Sequence, residues 1–304
     1  MSNKYIIIAG TNKAATTSVF EYLAAHPQVC PAFIKQTFFF LNKEWQQQLQ
    51  LHSLYDYNKG EEQYDLFFRD CKAGQVKLEA SPEYLYAPAT AEKIFSFSKK
   101  HDCEIIFMLR DPVTRFISLF HFGKQQGVIA EDCNFHTFLT QSTAHTANTN
   151  TSLMAYETGF YSKYLQQYVS IFGREKLKIY FFEEVMADTS SCMKKISTDL
   201  NIDATFYENF TFETHNKTIT VKNRLLSNMY KKARQVLIQN SFKNKAAYNT
   251  AMIFRKTITP VYRKINLKEL KKEEISEMDI AFLKDAYKNE KEKLVSLLGM
   301  DIPW

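Results

Sequence analysis

The chain has 304 residues, of which 45% are hydrophobic and 24% are charged, and its formal net charge is +6 at pH 7. These values are typical of globular proteins and exclude a disordered or fibrous chain. At this length we expect one large domain or two small ones, with a hydrophobic core of ordinary depth.

The cysteines and the apolar runs indicate the cellular compartment in which the protein is expected. There are five cysteines, an odd number with wide spacings and no Cys-x-x-Cys pair: Cys30, Cys71, Cys103, Cys133 and Cys192. The sequence therefore predicts neither a disulfide framework nor a zinc site, and a reducing, cytoplasmic location is expected. No apolar run approaches the roughly 18 residues of a membrane span. The short apolar start leads into a glycine loop and does not resemble a signal peptide.

Predicted strands and helices alternate along the chain. The first strand, 5–9, is a continuous apolar run that ends at Gly10, and a helix over 16–26 follows it. Further strands are expected at 76–79, 103–109 and 176–182, and further helices at 89–100, 112–122, 162–172 and 189–200. This alternation predicts an α/β fold with a central parallel sheet flanked by helices. Because ligands bind beyond the carboxyl ends of such strands, the loops after Ala9, Glu79 and Leu109 should converge on one site.

Two segments differ from this pattern. Residues 140–152 are rich in Thr, Ser and Asn, which predicts a mobile loop. Residues 217–272 hold 15 Lys or Arg and a single acid, Glu269, which gives a local charge of +14. Since the sequence shows no internal repeat and no linker, we expect a single domain over 1–304 with a basic, mainly helical C-terminal part.

The loop after the first strand has the composition of a phosphate-binding loop. From Gly10 to Ser18 it reads Gly-Thr-Asn-Lys-Ala-Ala-Thr-Thr-Ser. The free N–H groups and the dipole of a helix start hold phosphates, and Lys13 adds a compact positive charge. The alternative is an ordinary helix cap with a surface lysine. The Walker A pattern GxxxxGK[ST] is absent, which argues against a standard ATPase or GTPase.

A second loop with suitable residues follows the strand at 103–109. It reads Arg-Asp-Pro-Val-Thr-Arg-Phe-Ile-Ser from Arg110 to Ser118. The planar guanidinium of arginine suits bidentate phosphate binding, whereas the alternative for Arg110 is a surface ion pair with Asp111. Because both loops follow strand ends, a shared phosphate site is favoured over two unrelated ones.

These residues together resemble the sulfotransferases that use 3′-phosphoadenosine 5′-phosphosulfate (PAPS), and are similar to bacterial members and to carbohydrate or heparan-type members. The family's first loop, GxxKxGTTxL, corresponds to Gly10–Val19, with Ala15 where the family usually has Gly. Its second signature, RxPxxRxxS, corresponds to Arg110–Ser118. The resemblance implies a P-loop-like three-layer fold. It also implies that the first loop binds the 5′-phosphosulfate and the second the 3′-phosphate.

The resemblance further implies which residues bind the nucleotide. They are Asn12, Lys13, Ala14, Ala15, Thr16, Thr17, Ser18, Arg110 and Ser118, with Lys222 and Arg224 from a late basic loop, 216–225, that closes over it. Lys13 would neutralise charge on the leaving oxygen as PAPS becomes 3′,5′-ADP. No redox cofactor and no metal are implied.

The residue at the family's general-base position differs in this chain. In many carbohydrate sulfotransferases it is the Glu of KExxFF, but the corresponding segment here carries Gln36. Glu79, at the end of the second predicted strand, is the first candidate, and its alternative is a structural carboxylate that fixes the first loop or pairs with Lys13. Glu83 and His121 are further candidates; Glu83 lies in a segment, 78–85, that resembles the family's EKSPxYL.

The predicted reaction is sulfuryl transfer to a hydroxyl or amine of a carbohydrate or small-molecule acceptor. The alternatives are a nucleotide kinase of the same architecture and a non-catalytic module that binds a nucleotide or polyanion. The basic segment 217–272 suits an anionic glycan or peripheral contact with a membrane that carries the acceptor, or it is a solvated basic face beside an anionic cofactor. No nucleic-acid motif is present, so no nucleic-acid partner is expected.

Overall fold

The computed structural model describes residues 4–48, 60–144, 154–213, 219–269 and 274–304. The chain divides into two compact units. The first comprises Met1–Leu119, Asn134–Asn216 and Ile275–Trp304, and the second comprises Phe120–Cys133 and Lys217–Glu274. The expectation of a single domain over 1–304 stays a prediction.

A five-stranded parallel sheet forms the centre of the first unit. Its strands are ordered β2–β3–β1–β4–β5 and are β1 (Lys4–Gly10), β2 (Val29–Pro31), β3 (Val76–Ala80), β4 (Asp102–Leu109) and β5 (Leu177–Phe181). Strand β1 lies in the middle, paired with β3 and β4, and is buried from Tyr5 onwards, as its apolar run predicts. The β1–β4 register shifts between Ile8 and Gly10, where the first loop begins.

Helices cover both faces of this sheet. They are α1 (Thr16–Ala25), α2 (Lys43–Gln48), α3 (Glu61–Asp65), α4 (Thr90–Ser98), α5 (Pro112–Gln126), α6 (Phe135–Ala144), α7 (Tyr161–Phe172), α8 (Phe182–Ala187), α9 (Thr189–Asp199), α12 (Glu277–Tyr287) and α13 (Glu290–Leu298); α5 continues into the second unit. On one face, Ile6 and Ile8 of β1 belong to a buried cluster with side chains of α1 and α9. On the other face, the ring of Tyr5 lies 5.0 Å from that of Phe97 in α4. The predicted α/β class with a flanked parallel sheet is therefore confirmed.

The prediction of a loop at 140–152 is wrong in its first part. Helix α6 continues through Ala144, and its buried residues Phe135, Phe138 and Leu139 recur at helical spacing. Burial of this apolar face outweighs the turn preference of the Thr and Ser residues around position 140. Residues 145–152 lie outside the described part of the chain.

The prediction that the cysteines form no disulfide is also wrong. Cys30 in β2 and Cys71, which follows a short 3₁₀ turn at Leu66–Phe68, are joined by a disulfide bond across 41 positions. The wide spacing in sequence gave no sign of this pair, which the fold brings together. Cys103, Cys133 and Cys192 are not joined in a disulfide. Disulfides persist mainly in oxidising compartments. The expected cytoplasmic location thus loses the argument on which it rested and stays untested.

The second unit is built on a pair of long helices. These are α10 (Arg224–Ser241) and α11 (Lys245–Asn266), and a short antiparallel ladder of β6 (Ile219–Val221) and β7 (Leu267–Glu269) joins their outer ends. The rings of Tyr230 and Tyr262 stack between the helices, with centroids 3.9 Å apart. The predicted helical character of the basic segment is confirmed for the described residues, whereas 217–218 and 270–272 lie outside them.

Within the described ranges, no helix combines the length and the apolar character needed to cross a membrane.

Candidate active site

The first loop leaves the central strand through a tight passage at Gly10. A Cβ atom on this residue would approach Cβ of Leu85 to 2.8 Å, so no larger residue fits there without a shift. Helix α1 then begins at Thr16, and the side chains of Thr16 and Ser18 are buried. The start of α1 therefore presents backbone N–H groups and the positive end of the helix dipole at the carboxyl edge of the sheet.

Ala15 stands at the N-cap of α1 in a left-handed conformation, with φ of 62°. A left-handed backbone strains an L-residue with a Cβ, and the position is one where glycine is preferred. We expect Ala15→Gly to raise the free energy of unfolding by about 1 kcal/mol, measured by urea denaturation. The neighbouring Ala14, also buried but not at positive φ, provides the control. Ala14→Gly should lower the free energy of unfolding. A loss of stability in Ala15→Gly would contradict the strain at this position.

Two arginines of the second signature hold the first loop by its carbonyl oxygens. Arg110 Nη1 donates to the carbonyl of Lys13 at 3.1 Å, and Arg115 Nε donates to the carbonyl of Asn12 at 3.0 Å. Arg115 is 1% exposed and its guanidinium lies between the rings of Tyr86 and Tyr161, 5.7 and 5.6 Å from their centroids. The loops after β1 and β4 thus meet, as the predicted sheet requires, and Arg115 is a positioning residue.

Arg110 is half-buried and its guanidinium lies 4.0 Å from the centroid of the Phe182 ring. The Asp111 carboxylate accepts the N–H of Thr114 at 2.7 Å, so it caps the start of α5. The N–H of Asp111 donates to Glu183 Oε1 at 3.0 Å, which fixes this loop to α8. Ser118 is half-buried in α5, and its expected phosphate contact stays a prediction.

Lys35 adds a cation that the sequence reasoning missed. Its ammonium donates to Thr17 Oγ1 at 2.8 Å, at the start of α1. Burial lowers the pKa of Lys35 to about 8, against the attraction of Glu83 and Glu21. Lys35 lies in the segment that resembles KExxFF, and this is the sequence feature that could have identified it. Its contact with the first loop depends on the tertiary fold.

Lys13 shares this cationic environment. Burial, with the positive charge of Arg110, lowers its pKa to about 8. Lys13, Lys35 and Arg110 therefore crowd around one helix start, and an anion bound there would relieve their mutual repulsion. This donor set fits a phosphosulfate group.

Glu79 lies inside the protein. Its side chain is 0% exposed, and its carboxylate accepts hydrogen bonds from four hydroxyl groups, those of Thr37, Tyr64, Ser81 and Tyr84, at 2.6–3.4 Å. Burial raises its pKa, and the four hydroxyl groups partly offset this. The geometry favours the structural alternative, and its role as base stays a prediction.

Glu83 is arranged differently. It is half-buried, Oε1 accepts from Asn12 Nδ2 at 3.1 Å, and Oε2 accepts from Gln36 Nε2 at 3.4 Å. Asn12 belongs to the first loop, so the Glu83 carboxylate lies next to the cationic cluster. The third candidate, His121, is 6% exposed and belongs to the second unit.

Lys222 and Arg224 also belong to the second unit. Arg224 Nη2 pairs with Glu131 Oε1 at 2.6 Å, and the Lys222 side chain is exposed. Their closure over the nucleotide stays a prediction, and residues 216–218 of the same predicted loop lie outside the described part of the chain. Among the described residues, no group of three or more His, Cys, Asp or Glu is placed to hold a metal ion.

A parallel α/β sheet with a cationic loop at the start of its first helix is typical of P-loop-like folds, in which such a loop holds an anionic group. The chain belongs to the sulfotransferase domain family, whose model matches residues 3–296. It is similar to heparan sulfate glucosamine 3-O-sulfotransferase 3B1 of Mus musculus, with 28% identity over 211 residues that cover 67% of this chain and 49% of the relative. It is also similar to heparan sulfate glucosamine 3-O-sulfotransferase 5 of Homo sapiens, with 24% identity over 197 residues, 64% of this chain and 53% of the relative.

The chain thus spans about half the length of the curated relatives it matches. Among solved structures, its fold is similar to that of a sulfotransferase from Alicyclobacillus acidocaldarius, with a TM-score of 0.61 and 21% identity over 80% of this chain and 96% of that chain. The predicted family and fold class are confirmed.

Proposed function

We propose that this protein transfers a sulfuryl group from PAPS to a hydroxyl or amine of a carbohydrate or small-molecule acceptor and releases 3′,5′-ADP. The observation that carries the proposal is the joining of the first loop to the second signature. Arg110 and Arg115 hold the carbonyls of Lys13 and Asn12, while Lys13, Lys35 and Arg110 surround the start of α1. Family membership supports the same reaction.

The residues of the site suit charge stabilisation in such a transfer. When bound, PAPS supplies the sulfuryl group. The backbone N–H groups at Thr16–Ser18 and the Lys35 ammonium hold negative oxygens at the start of α1. Lys13 stabilises the charge that develops on the leaving phosphate oxygen, and Arg115 keeps the loop in place from inside the protein. Positioning and fixed charges carry most of the catalysis in transfers of this type.

The proposed acceptor class rests on the relatives and on charge. The two curated relatives described above are named for heparan sulfate glucosamine, which belongs to an anionic carbohydrate. The second unit is rich in Lys and Arg, which supports an anionic acceptor, free or carried at a membrane surface.

Mass spectrometry of an acceptor panel tests the proposal. Heparan sulfate, glucosamine-containing oligosaccharides, amino sugars and phenols are incubated with the protein and PAPS. A gain of one sulfo group on a panel member supports the function and names the acceptor. Parallel incubation with ATP and Mg²⁺ tests the nucleotide kinase alternative, which predicts a phosphorylated product instead. Binding of 3′,5′-ADP without any modified product would favour the non-catalytic binding module.

The lowered lysine pKa values predict how nucleotide binding depends on pH. In the free protein, Lys13 and Lys35 lose their protons near pH 8. Because the anionic nucleotide binds the charged lysines, binding above this pH must be accompanied by proton uptake. We expect the affinity for 3′,5′-ADP, measured by titration calorimetry, to fall above pH 8 by up to about tenfold per pH unit for each lysine.

Lys13→Arg gives the control for this pH dependence. Arginine keeps its charge throughout the range, so the decline should become shallower in this variant. An affinity that stays constant from neutral pH to well above pH 9 in the unsubstituted protein would contradict the role of both lysines.

A further inference from the structure

Position 36 lacks the carboxylate that the family resemblance implies, and position 83 supplies one. Where KExxFF has its basic carboxylate, this chain has the amide of Gln36, which cannot accept a proton at neutral pH. The variable position of the SPxYL segment carries a carboxylate, Glu83. The two side chains are in contact, since Gln36 Nε2 donates to Glu83 Oε2 at 3.4 Å.

The Glu83 carboxylate contacts the first loop. Its other oxygen, Oε1, accepts from Asn12 Nδ2 of the first loop at 3.1 Å. Asn12 immediately precedes Lys13, and the Lys35 ammonium, bound to Thr17, attracts the same carboxylate. Glu83 thus lies beside the loop that leads into the start of α1.

The environment of Glu83 suits proton transfer. Burial raises the pKa of Glu83 above its ordinary value, while Asn12, Lys35 and Gln36 favour its charged form. It also remains half-buried, in contrast to Glu79, which is 0% exposed and surrounded by four hydroxyl groups. A base must reach the proton that it removes, and of these two residues only Glu83 is partly exposed.

We propose that Glu83 is the general base of this enzyme and that Gln36 orients it. This inference rests on the proposed function. The acceptor proton passes to a Glu83 oxygen as the acceptor oxygen or nitrogen forms its bond to sulfur. The bond between sulfur and the 5′-phosphate oxygen breaks, and 3′,5′-ADP leaves with that electron pair. Glu83 then releases the proton to solvent, so atoms and charge balance without a further reactant.

Glu83→Gln tests the assignment, with the panel acceptor that gains a sulfo group as substrate. We expect kcat to fall at least about 100-fold, while the affinity for 3′,5′-ADP stays within about twofold, since the lysines that hold the nucleotide remain. The fall of kcat on the acid side, caused by protonation of Glu83, should disappear in the variant. Glu44→Gln, at an exposed position in α2, is the matched control and should leave kcat unchanged.

The double variant Glu83→Gln/Gln36→Glu separates a catalytic from a structural role. It returns a carboxylate to position 36, within contact distance of the one removed, and should recover kcat by at least about tenfold over Glu83→Gln. Glu83→Asp keeps a carboxylate at position 83 and should retain more of kcat than Glu83→Gln. This variant keeps the test decisive if Glu83→Gln does not fold.

The outcomes distinguish this inference from the proposed function. If no panel member gains a sulfo group with the unsubstituted protein, the proposed function fails. If the unsubstituted protein turns over and Glu83→Gln retains kcat within about threefold, or keeps the acid-side fall, Glu83 is not the base. A lower kcat that neither Gln36→Glu nor Glu83→Asp restores likewise overturns the assignment.

Discussion

Replacing Lys13 with alanine is expected to lower kcat for sulfuryl transfer by about 10²–10³-fold, the usual cost of losing one charged or hydrogen-bonding group that stabilises a developing oxyanion. Lys13 lies in the loop that Arg110 and Arg115 hold by its carbonyls, so its backbone position does not depend on its side chain. The fold should therefore survive. Removing a partly buried cation from beside Arg110 also relieves repulsion, and thermal stability should not fall.

The measurement is kcat with PAPS and the panel acceptor, together with the melting temperature and the affinity for 3′,5′-ADP. Lys72→Ala, at an exposed position before β3, is the matched control and should change none of these. Lys13→Arg should retain part of the activity because it keeps the positive charge but not the compact ammonium. Retained turnover in Lys13→Ala would remove Lys13 from the mechanism and leave Lys35 as the cation nearest the start of α1.

The central strands were predictable from sequence because each is a short apolar run bounded by Gly, Pro or polar residues. Strand β2 was not, since it has three residues, ends in Pro31 and lies at the edge of the sheet. Its existence depends on pairing with β3 rather than on any local pattern. The disulfide that β2 carries was hidden for the same reason, because the distance between Cys30 and Cys71 in space is set by the tertiary fold.

The parts of the candidate site that lie within one short segment were predictable from the sequence motif of that segment. The first loop and the second signature each combine charge and hydroxyl groups within about ten residues, and the structure joins them. Contacts among Asn12, Lys35 and Glu83 involve three segments, so no local pattern predicts them. The role of Glu79 as base stays a prediction, but the argument from its place at a strand end did not consider side-chain alternation. Strand β3 continues to Ala80, and the Glu79 carboxylate meets Tyr64 of α3, which packs on Tyr5 of β1.

Removing the Cys30–Cys71 disulfide is expected to lower the free energy of unfolding by about 4 kcal/mol, because the unfolded chain regains the freedom of a loop that spans 41 positions. The loss would be a large fraction of the 5–15 kcal/mol that stabilises an ordinary domain. The double variant Cys30→Ser/Cys71→Ser avoids leaving a lone thiol, and guanidinium unfolding with and without dithiothreitol gives the measurement. Dithiothreitol should move the unfolding midpoint of the unsubstituted protein to a lower guanidinium concentration. The midpoint of the double variant should stay unchanged.

Cys103→Ser is the control, since Cys103 lies outside the disulfide and its replacement should preserve the response to dithiothreitol. Alkylation of the denatured, unreduced protein followed by mass measurement counts the free thiols directly. Three labelled cysteines agree with the structure, whereas five would show that the bond is absent in solution. In that case the stability of β2 would rest on its ladder with β3 alone, and the reducing compartment inferred from cysteine spacing would regain its support.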